Sequence, residues 1–317
     1  MALQTRKSNA FKPPRVLIYG EAGVGKTTFG AKSEKPVFIT PEGGTDQVFG
    51  SDDQPVDEMP GITDWNSVRA AIKRLQVEVH PFKTLVIDSA DWLERLCHAA
   101  IIGDSGKSII TVDKGYGAGH AKAENMFSEL VNDLSELRDK RGMGIIFTAH
   151  AHVKQVKDPS MSSDYDSFEI KCHEKVASVL REWVDAMLFV RHKTLMTVSD
   201  NTDKARAVGD NTRVVYASQQ PSFKAKNRYN LDLAGQGYQF TPNFYNEFMG
   251  AVKAHAAKQT AMTFAELAPK LNALWEKVPN ETTKNLIQKT IAEAGEDMAK
   301  LQPIYHRLIE ITKGSAA

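Results

Sequence analysis

Gly20-Glu21-Ala22-Gly23-Val24-Gly25-Lys26-Thr27-Thr28 is the stretch on which the reading of this chain turns. It fits G-x-x-x-x-G-K-[ST], with Gly20, Gly25, Lys26 and Thr27 at the fixed positions. Upstream, Arg15-Val16-Leu17-Ile18-Tyr19 reads as a buried strand; downstream, Phe29-Gly30-Ala31-Lys32 can continue a helix. Strand, glycine-rich loop and helix is the setting in which this motif holds phosphate. The glycines let successive N–H groups converge on phosphate oxygens, and the helix start adds partial positive charge there. Lys26 is expected on the β- and γ-phosphates and the Thr27 hydroxyl on Mg²⁺, so the expected ligands are ATP and Mg²⁺.

Outward from the loop, short apolar runs alternate with amphipathic stretches up to about residue 190. The expected strands are residues 16–19, 36–40, 84–88, 144–149 and 184–190. Between them, residues 65–79 follow Asp64 as an N-cap, and residues 121–140 place Phe127, Leu130, Val131, Leu134 and Leu137 at helical spacing. Strands separated by helices predict βαβ units, hence an α/β fold with a mainly parallel sheet. Residues 193–198 and 212–218 read as an edge hairpin with a polar turn over 199–211. Thr241-Pro242 opens a further helix.

The expected organisation is a flexible basic arm (1–14), a nucleotide-binding core (15–254), a polar linker (255–262) and a small C-terminal helical unit (263–317). The last opens on a capping box, Thr263-Phe264-Ala265-Glu266. Its seven Lys and Arg balance seven Asp and Glu, which disfavours strong nonspecific DNA affinity.

Composition excludes several classes. The 317 residues are 42% apolar and 25% charged, enough for a sizeable core. A net charge of +1 means any nucleic-acid argument must rest on local patches. Cys97 and Cys172 lack C-x-x-C spacing, so neither a disulfide framework nor a zinc site is expected. A zinc reading of His150, His152, Cys172 and His173 likewise lacks ligand spacing. No apolar run approaches ~18 residues, so no membrane span is expected, and a reducing cytoplasmic location fits.

Leu85-Val86-Ile87-Asp88 is an apolar strand ending in an acid, the form in which Asp88 orients Mg²⁺. Glu42 follows the strand 36–40 at the sheet edge where open α/β sheets bind ligands, and is the candidate base for hydrolysis. Asp91 and Glu94 compete for that role but fall on the helix after Asp88. His150 ends the strand 144–149, where a polar side chain can touch the γ-phosphate and report its loss.

Between residues 191 and 230 eight Lys and Arg face three Asp, a local net of +5. Within it Lys226-Asn227-Arg228-Tyr229-Asn230 could reach phosphate, on ATP or on a nucleic-acid backbone. The glycine-rich loop 105–120 carries Lys107, Lys114 and Tyr116, an aromatic able to stack on a base. Residues 153–172 read as a long polar loop with Lys154 and Lys157. It is not basic, because Asp158, Asp164, Asp166 and Glu169 offset Lys154, Lys157 and Lys171.

Taken together, the phosphate loop, Glu42, Asp88-Ser89 and His150 resemble the RecA-like P-loop NTPase core. The chain is more closely similar to the phage-encoded, core-only RecA-like group of nucleotide-binding or single-strand annealing proteins. Gly115-Tyr116-Gly117 before a long helix and Arg181-Glu182-Trp183-Val184-Asp185 carry that likeness. Lys226-Asn227-Arg228-Tyr229 is similar to the Lys-Asn-Arg-Phe-Gly motif of RadA recombination ATPases, with Asn230 in place of the glycine. RadA-like members also have histidine at the position of His150. The resemblance covers residues 15–254 and leaves the helical unit outside.

It implies ATP bound between self-associated protomers, with Lys226 or Arg228 acting across the interface as a cationic finger. It also implies that the 105–120 and 153–172 loops face single-stranded DNA, making Lys107, Lys114, Tyr116, Lys154 and Lys157 the contact candidates. A single-strand-binding protein is a further candidate partner, and the host bacterial cytoplasm the location. The expected function is an ATP-hydrolysing recombination protein that anneals or exchanges strands. Its rivals are an ATP-binding annealing module with negligible turnover and a small-molecule P-loop kinase.

Overall fold

Strand β1 (Arg15–Gly20) is buried along almost its whole length, because both of its faces are covered. Leu17 and Tyr19 enter one apolar core while Val16 and Ile18 enter the other, the period-2 alternation of a central strand. The computed structural model describes residues 11–41, 43–157, 163–199, 202–231, 237–260 and 264–314.

After β1 come α1 (Lys26–Ala31), β2 (Pro36–Ile39), β3 (Asp57–Glu58), α2 (Trp65–Val77), β4 (Thr84–Ile87) and α3 (Ala90–Ile102). A single 3₁₀ turn at Val112–Lys114 precedes α4 (Ala118–Arg141), β5 (Gly144–Val156), β6 (Tyr165–Ile170) and α5 (Glu174–Trp183). The chain continues through β7 (Ala186–Ser199), β8 (Thr202–Tyr216), β9 (Lys226–Asn227), β10 (Tyr238–Gln239) and α6 (Phe244–Thr260).

The sheet order is β10-β8-β7-β1-β5-β4-β2-β3, with β6 added to β5 and β9 to β7. From β7 across to β3 every pairing is parallel; β8, β10, β6 and β9 join antiparallel. This is the α/β, mainly parallel architecture of a P-loop NTPase core. One face packs against α2, α3, α4 and α5 through Trp65, Ile72, Leu93, Phe127, Leu134 and Leu180. The other packs against α1 and α6 through Phe29, Phe244 and Phe248. Asp64 caps α2 by accepting from Ser67 N while the Ser67 hydroxyl oxygen accepts from Asp64 N.

Three sequence expectations change. Residues 153–172 are not an open loop: β5 runs on to Val156 and pairs with β6 from Ala151↔Ile170 to Val156↔Tyr165. Val153, Val156, Tyr165, Phe168 and Ile170 supply the β-forming side chains that the polar composition concealed. The turn expected over 199–211 is also mostly strand, since β8 starts at Thr202. Ala205, Ala207 and Val208 alternate weakly with charged residues, which mimics a loop in a hydropathy reading. Finally, residues 11–14 are tied down and are not part of a free arm. Lys12 Nζ pairs with Asp139 at 2.6 Å, Arg138 Nε donates to Pro13 O, and Ile145 N donates to Pro14 O at 3.1 Å. The remainder of the expected arm, residues 1–10, lies outside the described residues.

The compact unit carrying the sheet is Phe11–His255, and a second begins at Ala256. Residues 256–260, expected as a polar connector, form the last residues of α6. In the second unit α7 (Phe264–Glu276), α8 (Glu281–Ala294) and α9 (Met298–Gly314) share a small core of Leu267, Leu271, Ile287, Leu301 and Leu308. Asn280 caps α8 by accepting from Thr282 N and Thr283 N. The capping residue expected at Thr263 lies outside the described residues. Among the described residues no helix is long and apolar enough to cross a membrane.

Candidate active site

The phosphate loop leaves the C-terminal end of β1 under tight steric control. A Cβ on Gly20 would sit 2.1 Å from Val190 O, so only glycine lets β1 lie flush against β7 at that point. Gly25 has φ 101°, in the left-handed region that glycine enters without penalty. It stands as N-cap of α1 and offers no side-chain acceptor, so the leading amides of the helix remain available to an anion. Lys26 is almost fully buried, and its Nζ donates to Gly20 O at 3.1 Å and Glu21 O at 2.7 Å. The ammonium is thereby folded over the loop, on carbonyls that a phosphate oxygen can replace.

Asp88 lies just past β4, two strands from β1, because β5 intervenes. The gap is bridged by hydroxyls. Thr27 Oγ1 donates to Asp88 Oδ2 at 2.6 Å, and Thr148 Oγ1, from buried β5, donates to Asp88 Oδ1 at 2.5 Å. Among the described residues no cation pairs with Asp88. A carboxylate held by two neutral hydroxyls keeps lone pairs for a hard divalent ion. Thr27 and Asp88 would supply oxygen donors to Mg²⁺, with phosphates and waters completing its shell. No group of three or more His, Cys, Asp or Glu able to hold a metal occurs among the described residues, which disfavours an all-protein cage. Thr148 was missed in the sequence; two residues before His150 on an alternating strand, it was findable as a side chain on the same face.

Asp88 N donates to Ile39 O at 3.0 Å, so the end of β2 abuts Asp88. Glu42 follows three residues later and lies outside the described residues.

His150 is opposite Gly20 in the β1–β5 register. Its N–H donates to Asp91 Oδ1 at 3.0 Å and its Nδ1 lies 3.0 Å from Asp91 Oδ2. Burial works against the Asp91 charge, but the hydrogen bonds and charge of His150 outweigh it, and the pKa falls. One turn along α3, buried Glu94 accepts from His173 N at 3.0 and 3.1 Å. Burial pushes the Glu94 carboxyl up to about 7, helped by the Asp91 charge and opposed by that N–H. His173 caps α5 and stacks on His120, with ring centroids 3.6 Å apart and planes 5° apart. His120 lies in the first turn of α4, directly after Gly115-Tyr116-Gly117. Both acids of α3 are therefore committed to neighbours, and Cys172 is a half-buried residue whose thiol pKa is driven well up by desolvation.

The other expected residues distribute unevenly. Tyr116 is fully exposed, with Ile110 exposed on the same loop. Lys107 and Lys157 are exposed, and the side chain of Lys114 lies outside the described residues. Lys154 is engaged by Glu174 and, at 3.5 Å, by Glu169, so it is not a free cation. Lys226 and Arg228 lie at the opposite end of the sheet. β9 pairs with Ala186 and Met187 at the start of β7, level with the start of β1, whereas the phosphate loop leaves its other end. There Lys226 Nζ caps α5 by donating to Arg181 O at 2.9 Å and Glu182 O at 3.0 Å. Arg228 Nη1 pairs with Asp185 at 3.1 Å. Within one chain neither cation reaches the loop. The basic residue that does is Arg213 of β8, whose Nη1 lies 3.4 Å from Val24 O. Its long separation in sequence left no local signal.

No curated protein matches this chain. A family model described as AAA domain matches residues 12–229, well over half of the sequence and the whole of the site just described. With a glycine-shaped phosphate loop, a folded-over lysine and a hydroxyl-held aspartate inside that match, the chain belongs to the AAA domain family of P-loop nucleotide-binding ATPases.

Proposed function

We propose that this ATPase couples ATP to single-stranded DNA, as a recombination protein that anneals or exchanges strands. The observation that carries the reading is a relay of contacts, linked through one turn of α3 and the start of α4, from the end of β5 beside the phosphate loop to an exposed aromatic loop. His150, level with Gly20, holds Asp91; Glu94, one turn on, holds the N–H of His173; His173 stacks on His120; His120 follows the loop of exposed Tyr116. Loss of the γ-phosphate beside His150 can thus be transmitted to a side chain suited to stacking on a base.

In this reading Lys26 draws the β- and γ-phosphates into the loop, and Thr27 and Asp88 would hold Mg²⁺. That ion would neutralise charge developing on the phosphates. Glu42 aligns the attacking water. Because Lys226 and Arg228 lie at the far sheet edge, any role for them at ATP requires a second protomer, and self-association belongs to the proposal.

ATP turnover measured with and without single-stranded oligonucleotide at low salt tests this directly. Stimulation by DNA is the expected result; no binding and no stimulation sinks the DNA assignment. Glu42→Gln should trap ATP and prolong DNA residence. If it changes neither, the protein is a binding-only annealing module and the turnover step is withdrawn.

A further inference from the structure

We infer that the groove between α8 and α9 is a docking site for a short amphipathic helix of a partner protein, one that carries a carboxylate among its apolar side chains. The inference concerns the C-terminal helical unit alone and is independent of the nucleotide site.

The spacing of the lining residues sets the shape of the occupant. On α8 the lining positions are 283, 286, 287 and 290, and on α9 they are 304, 307, 308 and 311. Both sets follow i, i+3, i+4 and i+7, so each is a single stripe along one helix face. A stripe of that span covers two turns, about 10 Å, a length that an amphipathic helix laid into a groove can match. The cavity between the stripes is about 110 Å³, which suits an apolar anchor side chain. Its floor belongs to the core, since Ile287 and Leu308 are buried and cluster with Leu267, Leu271 and Leu301. Its rim does not: Leu286 is 65% exposed. One exposed leucine alone means nothing; beside a groove walled by Ile304 and Ile311 it extends an apolar surface toward a partner.

Charge decides what fills the groove. Arg307 is exposed and lines it, and none of the lining residues is acidic. Lys284, Lys289 and Lys300 each pair with an acid three or four residues away, whereas no carboxylate among the described residues pairs with Arg307. A second copy docking groove to groove about a two-fold axis would bring Arg307 to a surface of its own sign. Residues 1–10 of the chain carry Arg6 and Lys7 and no acid, so they too would set cation against cation. A nucleic-acid strand would answer the charge and waste the aliphatic walls. A partner helix with aspartate or glutamate opposite Arg307, and leucine-like anchors at its own i, i+3 and i+4 positions, satisfies both.

Fluorescence anisotropy of two labelled synthetic helices on the full chain, without nucleotide, tests this. One carries leucine at i, i+3, i+4 and i+7 with a glutamate beside that stripe; its twin has lysine in place of the glutamate. The wild-type protein should bind the glutamate peptide roughly tenfold more tightly than the lysine peptide. Arg307→Glu should reverse that order, and Leu286→Asp should weaken both peptides. Equal affinities in the wild type, an order unmoved by Arg307→Glu, or no binding of either peptide would each overturn the inference. So would displacement of the glutamate peptide by a single-stranded oligonucleotide in the wild type but not in Arg307→Ala, which would give the groove to nucleic acid. A dimer in sedimentation velocity that Leu286→Asp abolishes would give it to a second copy. Both side chains are exposed, so circular dichroism should be unchanged; should Leu286→Asp unfold the unit, the charge reversal at Arg307 decides alone.

Discussion

Two aspartates at opposite edges of one sheet, Asp185 buried and Asp88 half-buried, are satisfied in opposite ways. Asp185, at the N-terminal edge, receives Arg15 at 2.6 Å, Arg228 at 3.1 Å and Arg138 at 3.3 Å. Asp88, at the C-terminal edge, receives among the described residues the hydroxyls of Thr27 and Thr148 and no cation. A carboxylate saturated by guanidinium groups has nothing left to offer a ligand; it locks β1, α4 and the approach to β7 together. A carboxylate held by neutral donors keeps its charge unspent, beside an ammonium resting on exchangeable carbonyls. The two differ most in counter-charge, and that separates scaffold from site.

The largest effect expected from that contrast is on stability. Asp185→Ala leaves three guanidinium groups without their anion and should cost about 3 to 5 kcal/mol in urea denaturation. The Asp185 pKa is lowered, burial being outweighed by the hydrogen bonds and charge of Arg15 and by the charge of Arg138. Its contribution is therefore complete above the ordinary carboxylate range and is lost as pH falls through the depressed value. Lys26→Ala is the counterpart at the other edge. Turnover should fall by roughly 10³-fold, while the melting temperature stays near wild type because no buried charge is stranded. A Lys26→Ala protein as unstable as Asp185→Ala would break the distinction.

Between these extremes lies Glu94, buried like Asp185 but raised to about 7. An acid whose folded pKa exceeds its unfolded value binds protons more tightly when folded. Stability from this group is present below the ordinary glutamate range and erodes as pH rises toward 7. The erosion should reach up to about 3 kcal/mol. Glu94→Gln keeps an acceptor for His173 N and should flatten that segment of the stability–pH curve; a curve of unchanged slope would show that Glu94 is ionised in the fold.

The scaffold and the loop were legible for different reasons than the rest. Glycines forced by φ and by backbone approach leave a local pattern, as at Gly20 and Gly25, and continuous apolar runs such as Val16-Leu17-Ile18-Tyr19 announce doubly covered strands. Asp88 was legible because its strand ends on it. What joins residues remote in sequence was not. His150 meets Asp91 across 59 positions, Arg213 meets Val24 across 189, and nothing in either neighbourhood names the partner. The β5–β6 hairpin hid behind its Lys and Asp residues, which a two-stranded ribbon can carry outward while a composition reading sees only polarity.

The smallest effect is the sharpest test of the contrast. Thr148→Val removes one of the two hydroxyls on Asp88 and nearly preserves the volume of a fully buried side chain. If the pair of hydroxyls orients Asp88 for Mg²⁺, the concentration of Mg²⁺ needed for half-maximal turnover should rise roughly tenfold, the size of effect that groups behind a metal ligand exert. Binding of metal-free ATP should be unchanged, because Thr148 donates to the carboxylate and the phosphate loop is untouched. Should Thr148→Val lower stability and leave the Mg²⁺ requirement as it was, Thr148 would be packing support alone. Asp88 would then resemble Asp185 more closely than its neutral partners imply.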